Sequence, residues 1–299
     1  MKILIIGAGN VGAHIAYLSL FSSLDEVAVY DIQKELVLGK TLDLSHSAGV
    51  LKKDLKFRAV QNLAEEVADI VVITAGMPRK EGMSRADLLD VNVKIMQDII
   101  ENLNEDLLQN AVFIIVANPV DVLSYYFYKK TGIAKNRLIG MAGALDAGRF
   151  RYHLHENIDK KISDLNPVVI GSHSKDMMCV YKEGDASLID KAKVETQNAG
   201  AKVVSYYKGG SAYFAPASGV KTLIDAVIED KNEIIPSVAV LEGEYGYSDI
   251  AFGVPVRISK TGISEIIKLQ LSKNEEEELK SSVNGIEDSI AYLREKNLI

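Results

Sequence analysis

The sequence predicts an α/β protein: a doubly wound parallel sheet, followed by a half of mixed α+β character. Three observations predict it. Short, continuously apolar runs alternate with helix-length amphipathic stretches through the first half. A G-x-G-x-x-G stretch joins the first apolar run to the first helical one. The second half trades that alternation for longer helices and two strand-like segments around Gly243–Gly246.

The elements follow in order. "KILIIG" (Lys2–Gly7) is apolar without alternation, the pattern of a strand covered on both faces. A helix-compatible stretch runs from Val11 to Leu20. "EVAVYD" (Glu26–Asp31) is the second strand, and "KELVLGKTLDLSHS" reads as a helix. "LKFRAV" and "DIVVITAG" (Asp69–Gly76) are strands, and a long amphipathic helix runs from Ser84 to about Leu103. "AVFIIVANP" (Ala111–Pro119) is a buried strand stopped by its proline. Strands alternating with helices imply parallel pairing through right-handed crossovers.

Farther on, "LNPVVIGSH" is strand-like, and helices are expected over Leu188–Tyr207 and Ala217–Glu229. "PSVAVLEG" and "DIAFGVPVRIS" read as antiparallel strands. Leu279, Val283, Ile286, Ile290 and Leu293 fall on one face of a last helix. The acidic "NEEEEL" suits that helix's first turn, where carboxylates complement the dipole. A division near residue 145 gives domains 1–145 and 146–299. No Pro/Gly/Ser-rich linker marks it, so the halves are expected to share an interface.

Composition bounds the function. The chain has 299 residues, 47% of them hydrophobic and 25% charged, an ordinary globular balance. With 34 Lys plus Arg against 41 Asp plus Glu, the net charge is −7, which argues against nucleic acid or an anionic membrane as the partner. The single cysteine, Cys179, excludes an internal disulfide and fits a reducing, cytoplasmic setting. "MKILIIGAG" has the Lys and apolar residues of a short leader, but Gly7 and Gly9 interrupt the run. No apolar run has membrane-spanning length.

"GAGNVG" (Gly7–Gly12) closes a buried strand and opens a helix, the context a dinucleotide fingerprint requires. Gly7 permits the tight turn, Gly9 lets a pyrophosphate approach the backbone, and Gly12 lets helix and strand pack closely. The helix that follows from Val11 presents amide donors at its N-terminus, where Asn10 and Val11 are expected to border the cofactor. The fingerprint asks for an acid roughly 20 positions on, and Asp31 ends the second strand. A carboxylate there binds the ribose 2′-hydroxyl and repels a 2′-phosphate. Ile32 follows with no Arg beside it, so NAD is expected rather than NADP.

"TAGMPRKEGMSR" (Thr74–Arg85) lies after the fourth strand, where a loop borders the ligand crevice. Gly76 and Gly82 suit a lid, and Arg79, Lys80 and Arg85 suit an anionic substrate; a solvated basic loop is the alternative. "VVIGSHSKDMM" delivers His173 from a strand end, which alone fits a catalytic base, a metal ligand or a packed histidine.

Taken together, "GAGNVG", "GKTLDLSHS", "TAGMPRKEGMSR", "VANPVD", "GMAGALDAGRFR" and "GSHS" resemble, in order and spacing, the lactate/malate dehydrogenase family over essentially the whole chain. The loop and "LDAGR" look like the malate dehydrogenases of the lactate-dehydrogenase-like branch of bacteria and archaea. The resemblance implies a Rossmann-type first domain, an α+β catalytic domain, NAD as cofactor and malate/oxaloacetate as substrate, within the tricarboxylic acid cycle. It implies that His173 accepts the substrate hydroxyl proton and that Asp146 hydrogen-bonds the other ring nitrogen. Arg149 would grip the C1 carboxylate, Arg85 would polarise the C2 oxygen, and Arg79 would bind the second carboxylate. Asn118 would contact substrate and cofactor ribose, and Ser211 would line the pocket. Thr74, Ala75, Gly76, Asn92 and Val116 complete the implied cofactor set. The family assembles as homodimers and homotetramers.

The chemistry needs these types. An imidazole titrating near neutrality suits a base that takes a hydroxyl proton during hydride transfer. A neighbouring carboxylate fixes its tautomer. A guanidinium binds a carboxylate bidentately where Lys offers a point charge. An unpaired Arg79 would penalise lactate. Alternatives are a dehydrogenase for lactate or another 2-hydroxy acid, and a non-catalytic NAD(H)-binding sensor.

Other residues carry blander expectations. His153 and His155, two apart on a helix, face different ways and make no metal site. His14 and His46 are expected to be structural, the "YYFYKK" cluster to pack a helix, Met177 and Met178 to line the core or the pocket wall, and Cys179 to be inert. The chain departs from the family after the histidine, where Ser174 and Lys175 replace the usual Gly and Asp, and by a Gly148 where Ala is usual. A required positive φ at residue 174 would strain Ser174.

Overall fold

The computed structural model describes residues 1–78 and 82–299. Six parallel strands form the first half's sheet: β1 (Lys2–Ile6), β2 (Glu26–Tyr30), β3 (Lys56–Ala59), β4 (Ile70–Ile73), β5 (Val112–Ile115) and β6 (Leu138–Gly140). Their order is β3-β2-β1-β4-β5-β6, so the winding reverses between β1 and β4. Ile5 of β1 pairs with Val29 of β2 and Val72 of β4. Burial explains the continuous apolar runs: Ile3, Leu4, Ile5 and all of Ile70–Ile73 are 0% exposed. Helices cover both faces of the central strands, while Lys2 of β1 and Lys56 and Arg58 of the edge strand β3 remain exposed. Truncating Ile5 to Ala is expected to cost about 2–5 kcal/mol.

The crossovers are α1 (Asn10–Leu18), α2 (Lys34–Leu51), α3 (Arg85–Asn102) with the short α4 (Glu105–Asn110), and α5 (Val120–Thr131). Ser84 caps α3 in a reciprocal capping box with Asp87, which fixes where the basic loop ends. Tyr125, Tyr126 and Phe127 of α5 are fully buried and pack as expected.

The second half contains α6 (Gly143–Asn157), a two-stranded hairpin of β7 (Val168–Ile170) and β8 (Met178–Val180), α7 (Ala186–Tyr207) and α8 (Phe214–Ile228). It closes with β9 (Glu233–Glu242), β10 (Ser248–Ser259), β11 (Gly262–Ile266) and α9 (Lys273–Glu295). These last strands are antiparallel to one another. They also extend the first half's sheet, because β9 joins β6 through Gly140 and Val238. A Cβ on Gly140 would lie 2.5 Å from Val238 Cβ, so the join depends on the missing side chain. Among the described residues the result is one nine-stranded sheet. Residue 145, where the sequence divides the chain, falls inside α6.

The last helix carries its apolar face as expected, with Leu279, Val283, Ile286, Ile290 and Leu293 all buried. Ser272 and Glu275 form its capping box, which places the acidic run in its first turn. His153 approaches Glu195 of α7, while His155 Nδ1 meets the Lys160 carbonyl. The two histidines therefore go separate ways, as their spacing requires. No helix among the described residues is long and apolar enough to cross a membrane.

Candidate active site

The glycine loop turns β1 into α1. Gly7 sits at φ +113°, and a Cβ there would lie 2.5 Å from Thr74 Oγ1. A Cβ on Gly12 would lie 1.9 Å from the Gly7 carbonyl, so both positions exclude any other residue. A Cβ on Gly9 meets nothing within 4 Å, which leaves an open floor ahead of the α1 N-terminus. Thr74 Oγ1 donates to the Gly7 carbonyl at 3.0 Å and locks the turn onto the end of β4. Asp31, just past β2, accepts the Ala8 N–H at 2.7 Å and the Gln33 N–H at 3.0 Å. Its carboxylate is thereby fixed beside the loop, with Ile32 exposed next to it. The open floor, the amide donors and the fixed acid fit a dinucleotide whose pyrophosphate lies on the loop and whose ribose meets Asp31.

A crevice of ≈ 520 Å³ runs from this loop across the carboxyl ends of the strands. The first half contributes Gly9, Asn10, Val11, Gly12, Thr74 and Gly76, with Val116 and Asn118 farther along. The second half contributes Arg149, His173 and Ser211. A second cavity of ≈ 480 Å³, lined by Lys2, Asp25 and Lys53, opens near the amino ends of β1 and β2, away from the histidine.

His173 is held by its backbone as well as its ring. Gly171, at φ +90°, exchanges both main-chain hydrogen bonds with Gly253 of β10. A Cβ on Gly171 would lie 2.3 Å from Ser282 Oγ, so only glycine passes α9 here. The Ser172 N–H then donates to Ser282 Oγ at 2.9 Å, and the His173 N–H donates to Asp121 Oδ2 at 2.9 Å. On the ring, Nδ1 lies 2.6 Å from Asp146 Oδ2. Asp146 Oδ1 accepts Arg149 Nη1 at 3.1 Å. The carboxylate is buried, with 2% of its side chain exposed against 16% for both His173 and Arg149. Because a carboxylate accepts only, Nδ1 carries the proton and Nε2 is the free basic nitrogen. Burial works against a charged imidazole, but the charge and hydrogen bond of Asp146 outweigh it and raise the His173 pKa above its ordinary value.

The departure after the histidine costs no strain. Gly171 is the left-handed residue of this turn and Ser174 is not. Ser174 Oγ lies 2.8 Å from Ser172 Oγ and accepts the Asp176 N–H at 3.1 Å, while Lys175 is exposed. Main-chain bonds and serine hydroxyls thus set the loop shape.

Not every expected residue faces the crevice. Gly7 and Ala75 lie beneath it, where the Ala75 N–H donates to the Ile6 carbonyl at 2.9 Å. Asn92, from α3, spends its carboxamide on protein: Oδ1 accepts the Met77 N–H at 2.7 Å and Nδ2 donates to the Asn118 carbonyl at 2.6 Å. It shapes two crevice segments from behind. Arg85 is exposed at the start of α3. A Cβ on Gly285 of α9 would lie 4.0 Å from its Nη1, so its guanidinium points at α9. Arg85 is not among the residues that line the crevice. Arg79, expected to face the substrate, lies outside the described residues.

Sequence reasoning passed over Asp121, Ser282 and Gly200. The last packs 3.6 Å, measured from a Cβ built on it, from Arg149 Nη1. The available signal for Asp121 was its place three residues after Asn118. Cys179 is buried, and burial pushes its thiol up to about 12, so it stays protonated near neutrality. Among the described residues no group of three or more His, Cys, Asp or Glu side chains stands ready for a metal.

Comparison with known proteins agrees with this geometry. Residues 1–140 match the NAD-binding domain of lactate/malate dehydrogenase, and residues 143–296 match its α/β C-terminal domain. The chain belongs to the lactate/malate dehydrogenase family. It is 38% identical to a malate dehydrogenase of Staphylococcus saprophyticus over 96% of each chain. The solved malate dehydrogenase of Cryptosporidium parvum superposes with a TM-score of 0.93 at 33% identity, covering 98% of this chain and 99% of that one. The lactate dehydrogenase of the same organism, solved with lactic acid and nicotinamide adenine dinucleotide, gives 0.89 at 31% identity over 96% of each chain. This dehydrogenase is an NAD-dependent oxidoreductase that transfers a hydride between a 2-hydroxy or 2-oxo acid and NAD.

Proposed function

We propose that this enzyme interconverts malate and oxaloacetate, with His173 as the general acid/base. The observation that carries the reading is the Asp146 carboxylate shared between His173 Nδ1 and Arg149. When bound, NAD would supply the hydride acceptor for C2 of malate and, as NADH, the hydride donor in the reverse direction. As that hydride leaves, His173 Nε2 takes the hydroxyl proton, and the Asp146 charge stabilises the imidazolium. In reverse His173 returns the proton to the oxygen.

Arg149 grips the C1 carboxylate from the same side, so proton acceptor and substrate anchor are set by one buried acid. Asn118 and Ser211 border the substrate. Arg85 reaches the C2 oxygen when its loop closes and stabilises the charge that develops there, an effect of about 3–4 kcal/mol for a well-placed donor. Arg79 on the same loop takes the second carboxylate. Gly7, Gly9, Asn10, Val11 and Gly12 form the pyrophosphate turn. Asp31 takes the adenosine ribose, and Thr74, Ala75, Gly76, Asn92 and Val116 frame the remainder of the cofactor site.

A second reading, lactate or another 2-hydroxy acid, draws on the likeness to a lactate dehydrogenase. Arg79 and the identity with malate dehydrogenases favour malate. The test is NADH consumption with oxaloacetate, pyruvate and two branched 2-oxo acids. We expect kcat/KM for oxaloacetate to exceed that for the others by about 100-fold or more; equal values for oxaloacetate and pyruvate overturn the assignment. The exposed Leu38 and Leu42 of α2 support assembly into a homodimer or homotetramer, and the lone buried thiol supports a cytoplasmic setting.

A further inference from the structure

Asp121 lies in the first turn of α5, directly behind the histidine, and is 4% exposed. Its Oδ2 accepts the His173 N–H at 2.9 Å. Its Oδ1 has no hydrogen-bond partner among the described residues. A buried carboxylate left half-satisfied is expensive, and a purely structural acceptor for one N–H needs no charge. We propose that Asp121 is a positioning residue for His173 and, when ionised, a second negative charge that, with Asp146, raises the pH at which His173 changes charge. The proposal rests on the reading of His173 as the general acid/base.

Among the described residues the surroundings hold few other charges that bear on that pH. From α6 come Asp146 and Arg149, one favouring and one opposing the imidazolium; Asp121 comes from α5. β8 offers Cys179, whose thiol is protonated, with Glu278 of α9 and Lys193 of α7 beyond it. α9 otherwise presents the neutral Ser282, and α7 presents Gln197, which donates to the Met177 carbonyl at 3.1 Å. β10 contributes Gly253. Burial pushes Asp121 up to about 6, partly offset by the His173 N–H and the positive imidazole. Each charge bears on the other, so Asp121 and His173 titrate as a coupled pair.

Asp121→Asn keeps an acceptor for the His173 N–H and removes the charge. The expected result is a fall of about 0.5 unit or more in the His173 midpoint, read by NMR titration of the imidazole in the cofactor-free protein. The rising limb of kcat/KM for malate and the falling limb for oxaloacetate should move to lower pH together. A merely structural role would lower the plateaux and leave these midpoints in place; a midpoint within about 0.2 unit of the parent, against that expected shift, overturns the proposal. Asp121→Ser also removes the charge and must show the same shift, including in the event that the Asn variant fails to fold. The NMR titration reads His173 without turnover, so it stands even where the general acid/base reading fails.

Discussion

Asp146 Oδ2 lies 2.6 Å from Nδ1 of His173, and the same carboxylate holds Arg149 on its other oxygen. One buried acid, 2% exposed at its side chain, therefore orients both the His173 imidazole and the Arg149 guanidinium. Replacing Asp146 by Asn keeps the size and removes the charge. A neutral carboxamide can hold the wrong imidazole tautomer, and kcat/KM should fall by about 10²–10⁴. The His173 pKa is raised from its ordinary 6.5, so in the parent the malate-oxidation limb reaches half-height above pH 6.5. The variant's limb should move down as the stabilising charge is lost. Steady-state pH profiles check both outcomes.

Arg149→Lys should not behave as a conservative change. A lysine is shorter and offers a point charge, whereas Arg149 reaches Asp146 with one nitrogen and leaves the rest of a planar fork for a carboxylate. The KM for oxaloacetate should rise about 30-fold or more, the loss of roughly 2 kcal/mol or more of charge-assisted bonding. NADH affinity, measured by fluorescence titration, should stay within about threefold, an effect below roughly 0.7 kcal/mol.

Asp31 is the residue proposed to set the choice between NAD and NADP. Its carboxylate is fixed by the Ala8 and Gln33 amides beside the glycine loop. Asp31→Ser removes the charge that repels a 2′-phosphate. The ratio of kcat/KM for NADPH over NADH should rise about tenfold or more, or about 1.4 kcal/mol of discrimination. An unchanged ratio would remove Asp31 from cofactor choice.

Asp121 should make stability depend on pH in an unusual direction. Its pKa rises from 3.8 to about 6 on folding, so between those values the folded protein binds more protons than the unfolded chain. Stability then declines as pH rises through this window, because the buried acid must ionise. The Asn variant lacks that loss. Its stability relative to the parent should improve by on the order of 1–3 kcal/mol between pH 4 and pH 7. Urea denaturation of both proteins at the two pH values measures it, and a constant difference would contradict the assignment.

What the sequence made legible was mostly local. "GAGNVG" and Asp31 could be read because strand, turn, helix and acid lie within one βαβ unit, and β1 and β4 are buried on both faces. The His173–Asp146 pair spans 27 residues; the residues alone left His173 open, and family resemblance supplied its partner. Asp121 spans 52 residues to the His173 amide, and its place three residues after Asn118 was its one local signal. The extension of the sheet rests on Gly140 meeting Val238, a contact that depends on a missing Cβ rather than on any hydrophobic pattern. Arg85 was legible as charge but not as direction, since its guanidinium points at α9. The worry over Ser174 dissolved because Gly171 supplies the left-handed turn.

The most direct test of the account is turnover and NADH binding by the His173→Asn protein. Removing the imidazole takes away the proton acceptor while leaving the glycine loop and Asp31 in place. The account predicts loss of oxaloacetate reduction by about 10³-fold or more, with NADH affinity retained within about threefold. Turnover within about tenfold of the parent, by the same comparison, would contradict His173 as the general acid/base.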